Sequence, residues 1–150
     1  MDPPLALLDP AWERLRQTEE LVLAQADGSR SSLEAALAGL IGAGGKRLRP
    51  RIAVLAGGML EADPGKLVKL AAAIEILHTA ALVHDDLVDG SALRRGVETL
   101  NARWSAAASV LVGDFAFTKA TGLVLGTRSL PAVEMFTRTM ASMVDGEVTE

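Results

Sequence analysis

Asp85 and Asp89 lie in the run LVHDDLVDGSALRRG, residues 82–96, four residues apart. On a helix their carboxylates share one face and repel. They also close an apolar stretch, and the last turn of a helix favours cations over anions. Two carboxylates so placed, with Asp86 beside them, ask for a positive partner. A divalent cation meets that need, because Mg²⁺ takes oxygen ligands and is commonly held by one or two carboxylates plus substrate phosphates. Two arginines, Arg94 and Arg95, follow almost at once.

A second stretch breaks helix rules in the opposite sense. In GGKRLRPR, residues 44–51, Lys46, Arg47 and Arg49 stand just before or at a helix start, where the dipole and unpaired N–H groups disfavour cations unless an anion arrives. Phosphate suits the place: helix N-termini donate to it, Gly44-Gly45 permits close approach, Pro50 fits a first turn and arginine adds bidentate reach. The segment is not a Walker A loop, since Leu40 and Arg47 stand where that motif has its first glycine and its Ser or Thr. Each motif alone also reads as a solvated charged patch. The acidic metal face, the paired arginines and the basic phosphate cradle together, on one set of apolar helices, argue against accident.

His78 lies two turns before Asp85 on the same helix face and so looks toward the acidic site, although a lone histidine on an apolar helix also reads as a core residue with one satisfied nitrogen. Asp114, a carboxylate inside another apolar helix, must find a partner or stay partly wet. No nucleophile elbow or Ser-His-Asp pattern is present. Met59, Met135, Met140 and Met143 read as core filling.

The elements that must position these groups are helices. Alanine and leucine dominate and apolar residues recur at helical spacing, so the chain is read as all-α, one domain over residues 1–150, with helices at 11–26, 31–43, 50–61, 65–88, 101–125 and 130–150. Asp27-Gly28, Gly44-Gly45 and Gly90 supply stops, while Asp63-Pro64 and Leu130-Pro131 supply starts. The opening MDPPLALLDP reads as an extended lead-in and not as a signal peptide. The stretches at 65–88 and 101–125 are apolar on most faces and predict central helices, one of them alternatively a subunit interface. Glu75, His78, Asp114 and Lys119 interrupt them, so no membrane span is expected.

With 150 residues there is enough chain for a core, and a net charge of −4 with pI near 5.2 gives no basic field for nucleic acid. The absence of cysteine excludes disulfides and zinc-thiolate sites and suits the cytoplasm.

Taken in order, GGKRLRP, HTAALVHDDLVDGSALRRG, LVGDFAF and DGE resemble the first half of a trans-polyprenyl diphosphate synthase of the medium- or long-chain type. The resemblance runs from about Leu33 onward, and DDxxD followed by RRG separates these synthases from terpene cyclases. It implies the helical bundle of the isoprenoid synthases, here roughly its first half. It implies Mg²⁺ on Asp85 and Asp89, with Asp86 close by and catalytic, bridging to an allylic prenyl diphosphate that Arg94 also contacts. It implies isopentenyl diphosphate on Lys46, Arg49, His78 and Arg95. The reaction implied is ionisation of the allylic C–O bond, attack by the isopentenyl double bond and loss of a proton, in a homodimer. A tail growing from Asp85 back along its helix would meet Ala81 and Ala80 first, then Leu77 and Ile74. In the family a bulky aromatic at the near positions stops growth early, so the alanines imply a longer product, although they also suit close helix approach.

Family members run to roughly twice this length and carry a second aspartate-rich motif that is not present here. The chain is therefore read as an N-terminal half, poorly active alone and prone to self-associate. A non-catalytic partner subunit of a heteromeric prenyl synthase is the competing reading, and a helical scaffold with incidental charges a third.

Overall fold

The computed structural model describes residues 3–26 and 31–149, with side chains from Pro10 onward. The described residues form seven helices and one short ribbon: α1 (Pro3–Ala24), α2 (Ser32–Gly42), α3 (Leu48–Met59), α4 (Pro64–Val88), β1 (Leu93–Arg94), β2 (Val97–Glu98), α5 (Leu100–Arg103), α6 (Ala106–Leu125) and α7 (Leu130–Thr149). The stop expected at Asp27-Gly28 and the terminal Glu150 lie outside the described residues.

α4 is the axis of the fold. Asp63 caps it by accepting from the Lys66 N–H at 2.8 Å, and Pro64 occupies its first turn, where a missing N–H costs nothing. At 25 residues it runs about 37 Å, and it buries residues on nearly every face, from Leu67 to Asp86. The main core gathers Ile76, Leu77 and Ala80 of α4 with Leu37 and Ile41 of α2, Ala116, Ala120 and Val124 of α6, and Phe136 of α7. A smaller cluster, Ala11, Val54 and Ala71, joins α1, α3 and α4. The helix ends where glycine was expected to end it. Gly90 takes φ +62, its N–H donates to Leu87 O and the Ser91 N–H to Asp86 O, a Schellman closure.

Several expectations need correction. The lead-in is helical from Pro3, because prolines in a first turn remove only N–H groups that have no partner anyway; Pro10 then sits inside the helix. The helix expected at 101–125 is two. It breaks at Trp104, and Ser105 restarts it with extended backbone and an Oγ that accepts from the Ala108 N–H at 3.1 Å. The β1–β2 ribbon was not anticipated. Its two-residue turn, Arg95-Gly96, has both residues at positive φ, as a type I′ hairpin requires. α6 is less central than α4: Ser109, Val112, Gly113, Ala116, Ala120 and Val124 face inward, while Val110, Leu111 and Leu125 are exposed. Met59 and Met135 are exposed rather than core filling, whereas Met140 and Met143 do pack against the core. By length and composition alone α4 and α6 are both apolar enough to cross a membrane, a test that the core helices of a fold also pass; over half of the α4 stretch is buried within the fold, and a third of the α6 stretch.

Candidate functional site

The C-terminal turn of α4 and the hairpin that follows carry the acidic motif. Asp85 is half-buried and Asp89 exposed at the helix cap, while Asp86, one residue round the helix, is buried. Arg94 Nε donates to Asp86 Oδ1 at 2.8 Å. This pair splits the motif into two jobs. Asp86 anchors the hairpin and so is already engaged, leaving the i, i+4 pair Asp85 and Asp89 to face outward. One guanidinium nitrogen of Arg94 is used, and its terminal nitrogens remain for an anion. Arg95 sits at the exposed tip of the turn with φ 53. The hairpin is tied back by the Thr99 N–H to Ala92 O and by Thr99 Oγ1 and Asn101 Nδ2, both donating to Ser91 O.

Among the described residues no three Asp, Glu or His side chains converge to hold a metal ion by themselves. The donor set would still fit Mg²⁺, a hard ion that Asp85 and Asp89 could hold through carboxylate oxygens if water and phosphate oxygens supplied its other ligands.

His78 is half-buried two turns below Asp85. Burial lowers its pKa below the ordinary 6.5, the charge of Arg49 lowers it further, Glu75 and Asp85 pull the other way, and Arg94 again lowers it. Neither ring nitrogen has a hydrogen-bond partner among the described residues. Lys46 and Arg49 are exposed and have no ion-pair partner among the described residues.

Arg47 is different. It stands in the left-handed region, φ 47, at the start of α3, with its side chain 15% exposed. Nη1 donates to Glu75 Oε1 at 2.8 Å, Nε and Nη2 donate to the two oxygens of Glu19 at 3.1 and 3.2 Å, and Nη2 also donates to Ile41 O at 2.9 Å. Burial alone would lower its pKa, and the hydrogen bonds it donates to Glu75 and Glu19, with their charges, outweigh that and raise it. The anion that one of the three loop cations requires is therefore internal. The sequence signal was Glu75, a lone carboxylate in an apolar helix, which is affordable only with a partner.

Asp114 stays wet. Its side chain is 62% exposed, and Oδ1 lies 3.8 Å from Nε2 of His84, which also lies 3.3 Å from Val110 O. The His84 ring tilts against Phe117 at 5.4 Å and covers Gly113, so LVGDFAF is where α6 crosses α4 beside the acidic turn. Of the chain-length residues, Ala80 is fully buried in the main core and Leu77 nearly so, whereas Ala81 is half-buried.

An acidic turn, a paired-arginine hairpin and a basic loop thus share one central helix of an all-α fold. A family model described as polyprenyl synthetase matches residues 30–150, and the chain belongs to that family. Octaprenyl diphosphate synthase of Escherichia coli (strain K12) is 44% identical over 111 residues, 74% of this chain and 34% of that protein. The Haemophilus influenzae protein described in the same words is 38% identical over 144 residues, 96% of this chain and 43% of its own length. Polyprenyl synthase from Caulobacter crescentus CB15, in a crystal structure complexed with calcium and isoprenyl diphosphate, matches with a TM-score of 0.86 at 43% identity, over 95% of this chain and 43% of that one. The chain thus spans between a third and a half of the length of these relatives. The expected all-α isoprenoid-synthase fold is the one found.

Proposed function

We propose that this chain forms the diphosphate-binding part of a trans-polyprenyl diphosphate synthase that condenses isopentenyl diphosphate with an allylic prenyl diphosphate. The observation that carries the reading is the Arg47–Glu75 pair, at 2.8 Å, which fastens the basic loop to α4 one turn before His78, on the helix that ends in Asp85 and Asp89. Lys46, Arg49 and His78 bind the isopentenyl diphosphate, with Arg95 closing from the turn tip. Asp85 and Asp89 hold Mg²⁺, which supplies charge to a departing allylic diphosphate when bound. Arg94, fixed at Nε by Asp86, presents its terminal nitrogens to that same leaving group, where preorganised donors are most effective. The isopentenyl double bond then attacks the allylic carbon and a proton is lost, so no protein nucleophile is required. The complex of the Caulobacter protein with calcium and isoprenyl diphosphate supports a divalent ion in this reading. A cytoplasmic homodimer belongs to the same proposal, supported by the exposed apolar face of α6.

Calorimetric titration with isopentenyl diphosphate tests the loop half of this site. Binding should be seen with the parent chain and be lost in the Lys46→Ala, Arg49→Ala double variant. Equal binding by both would refute the assignment, and no binding by either would refute the reading as a whole.

A further inference from the structure

Arg47 uses every nitrogen of its guanidinium on partners from three different helices: Glu19 of α1, the Ile41 carbonyl in the last turn of α2, and Glu75 of α4. Both its side chain and that of Glu75 are largely buried. Its backbone adopts φ 47, a conformation that L residues rarely take and that must be held by the surroundings. Its sequence neighbours Lys46 and Arg49 are exposed and without ion-pair partners among the described residues. Glu75 lies one turn before His78 on α4 and contributes to the field at its ring. The clamp therefore fastens the basic loop to the turn of α4 that carries His78. The two carboxylates also neutralise Arg47, so an arriving diphosphate meets the charges of Lys46 and Arg49 while Arg47 stays engaged with its own anions. The acidic turn hangs on a separate device, the Asp86–Arg94 pair and its hairpin.

We propose that Arg47 is a positioning residue for the isopentenyl diphosphate subsite, setting the spacing of Lys46 and Arg49 against His78 without touching ligand. The inference rests on the reading of that subsite given above. It predicts a split between ligands that a general loss of stability would not produce.

The experiment compares the parent chain with Arg47→Gly, which removes the clamp but accepts positive φ, and with Arg47→Lys, which keeps the charge without the fork. Each is titrated with isopentenyl diphosphate and, separately, with Mg²⁺ plus a non-ionisable allylic thiolodiphosphate, with helical circular dichroism recorded throughout. Arg47→Gly should weaken isopentenyl diphosphate binding by about tenfold or more, Arg47→Lys should recover only part of the loss, and allylic binding should stay within about twofold of the parent. Equal affinity in parent and Arg47→Gly, or equal loss for both ligands, overturns the inference. If Arg47→Gly does not fold, Glu19→Gln, which weakens one arm and leaves Glu75 in place, should show the same split at smaller amplitude, and its absence overturns the inference. A parent that binds no isopentenyl diphosphate refutes the subsite and this inference together, whereas normal parent binding with an unaffected variant refutes this inference alone.

Discussion

Gly113→Ala measures how closely α6 and α4 approach beside the acidic turn. A methyl group built at Gly113 would lie 2.8 Å from Cε1 of His84 and closer still to Cδ2 and Nε2, inside any distance that real contacts tolerate. Two effects oppose each other. Replacing glycine by alanine inside a helix stabilises by roughly 0.5–1 kcal/mol. Forcing a methyl group into a packed contact costs about 1–3 kcal/mol. The ring cannot swing away freely, because it leans on Phe117, lies near Val110 O and faces Asp114. The clash should therefore win, with a net loss of up to about 2 kcal/mol in urea denaturation followed by circular dichroism. The His84→Ala background removes the obstacle, so there the same substitution should stabilise, by up to about 1 kcal/mol. The sign reversal, a coupling of about 1–3 kcal/mol across the double-mutant cycle, is the signature. A Gly113→Ala variant more stable than its parent with His84 intact would show that the crossing is not set by this contact.

Three further outcomes follow from the packing and the charges. Glu75→Ala removes one of the two carboxylates on the largely buried Arg47 and leaves Nη1 without its acceptor, and thermal or urea unfolding should show a loss of about 1–3 kcal/mol, short of the ~3–5 kcal/mol of an orphaned buried charge because Glu19 remains; a loss under about 1 kcal/mol would mean the pair is in effect solvated. His78 titrates below 6.5 in the folded chain, so the unfolded chain takes up the extra proton first: its contribution to stability is present above about pH 6.5 and is lost as pH falls through the ordinary histidine range. His78→Gln should flatten that part of the stability–pH curve, and NMR titration of the two histidines should show His78 below 6.5; a value above it would contradict the assigned surroundings. Ala80→Phe should destabilise the chain by about 1–3 kcal/mol or more, because Ala80 is fully buried in the core, while Ala81→Phe should be tolerated; equal effects would mean both alanines face the same space.

The sequence signals that proved legible were local ones. Asp63-Pro64 and Gly90 bound α4 because a cap and a left-handed stop act within a few residues of themselves. The restart at Ser105 was equally local and was passed over, because the apolar pattern runs through it unbroken. The ribbon escaped notice because two residues per strand leave no alternation to read. What the sequence could not show was pairing at a distance. Arg47 meets Glu19 and Glu75, each 28 residues away, so three charged side chains that look equally available in the sequence turn out to have been taken. The same holds for Asp86, whose engagement by Arg94 depends on the hairpin.

The account stands or falls on Asp85 and Asp89 holding a divalent ion for an allylic diphosphate. Calorimetric titration of a non-ionisable allylic thiolodiphosphate into the chain, with and without Mg²⁺, tests it most directly. Binding should require Mg²⁺ and should disappear in the Asp85→Asn, Asp89→Asn double variant while isopentenyl diphosphate binding persists. Binding that is unchanged when Mg²⁺ is withheld, or that survives the loss of both carboxylates, would contradict the account.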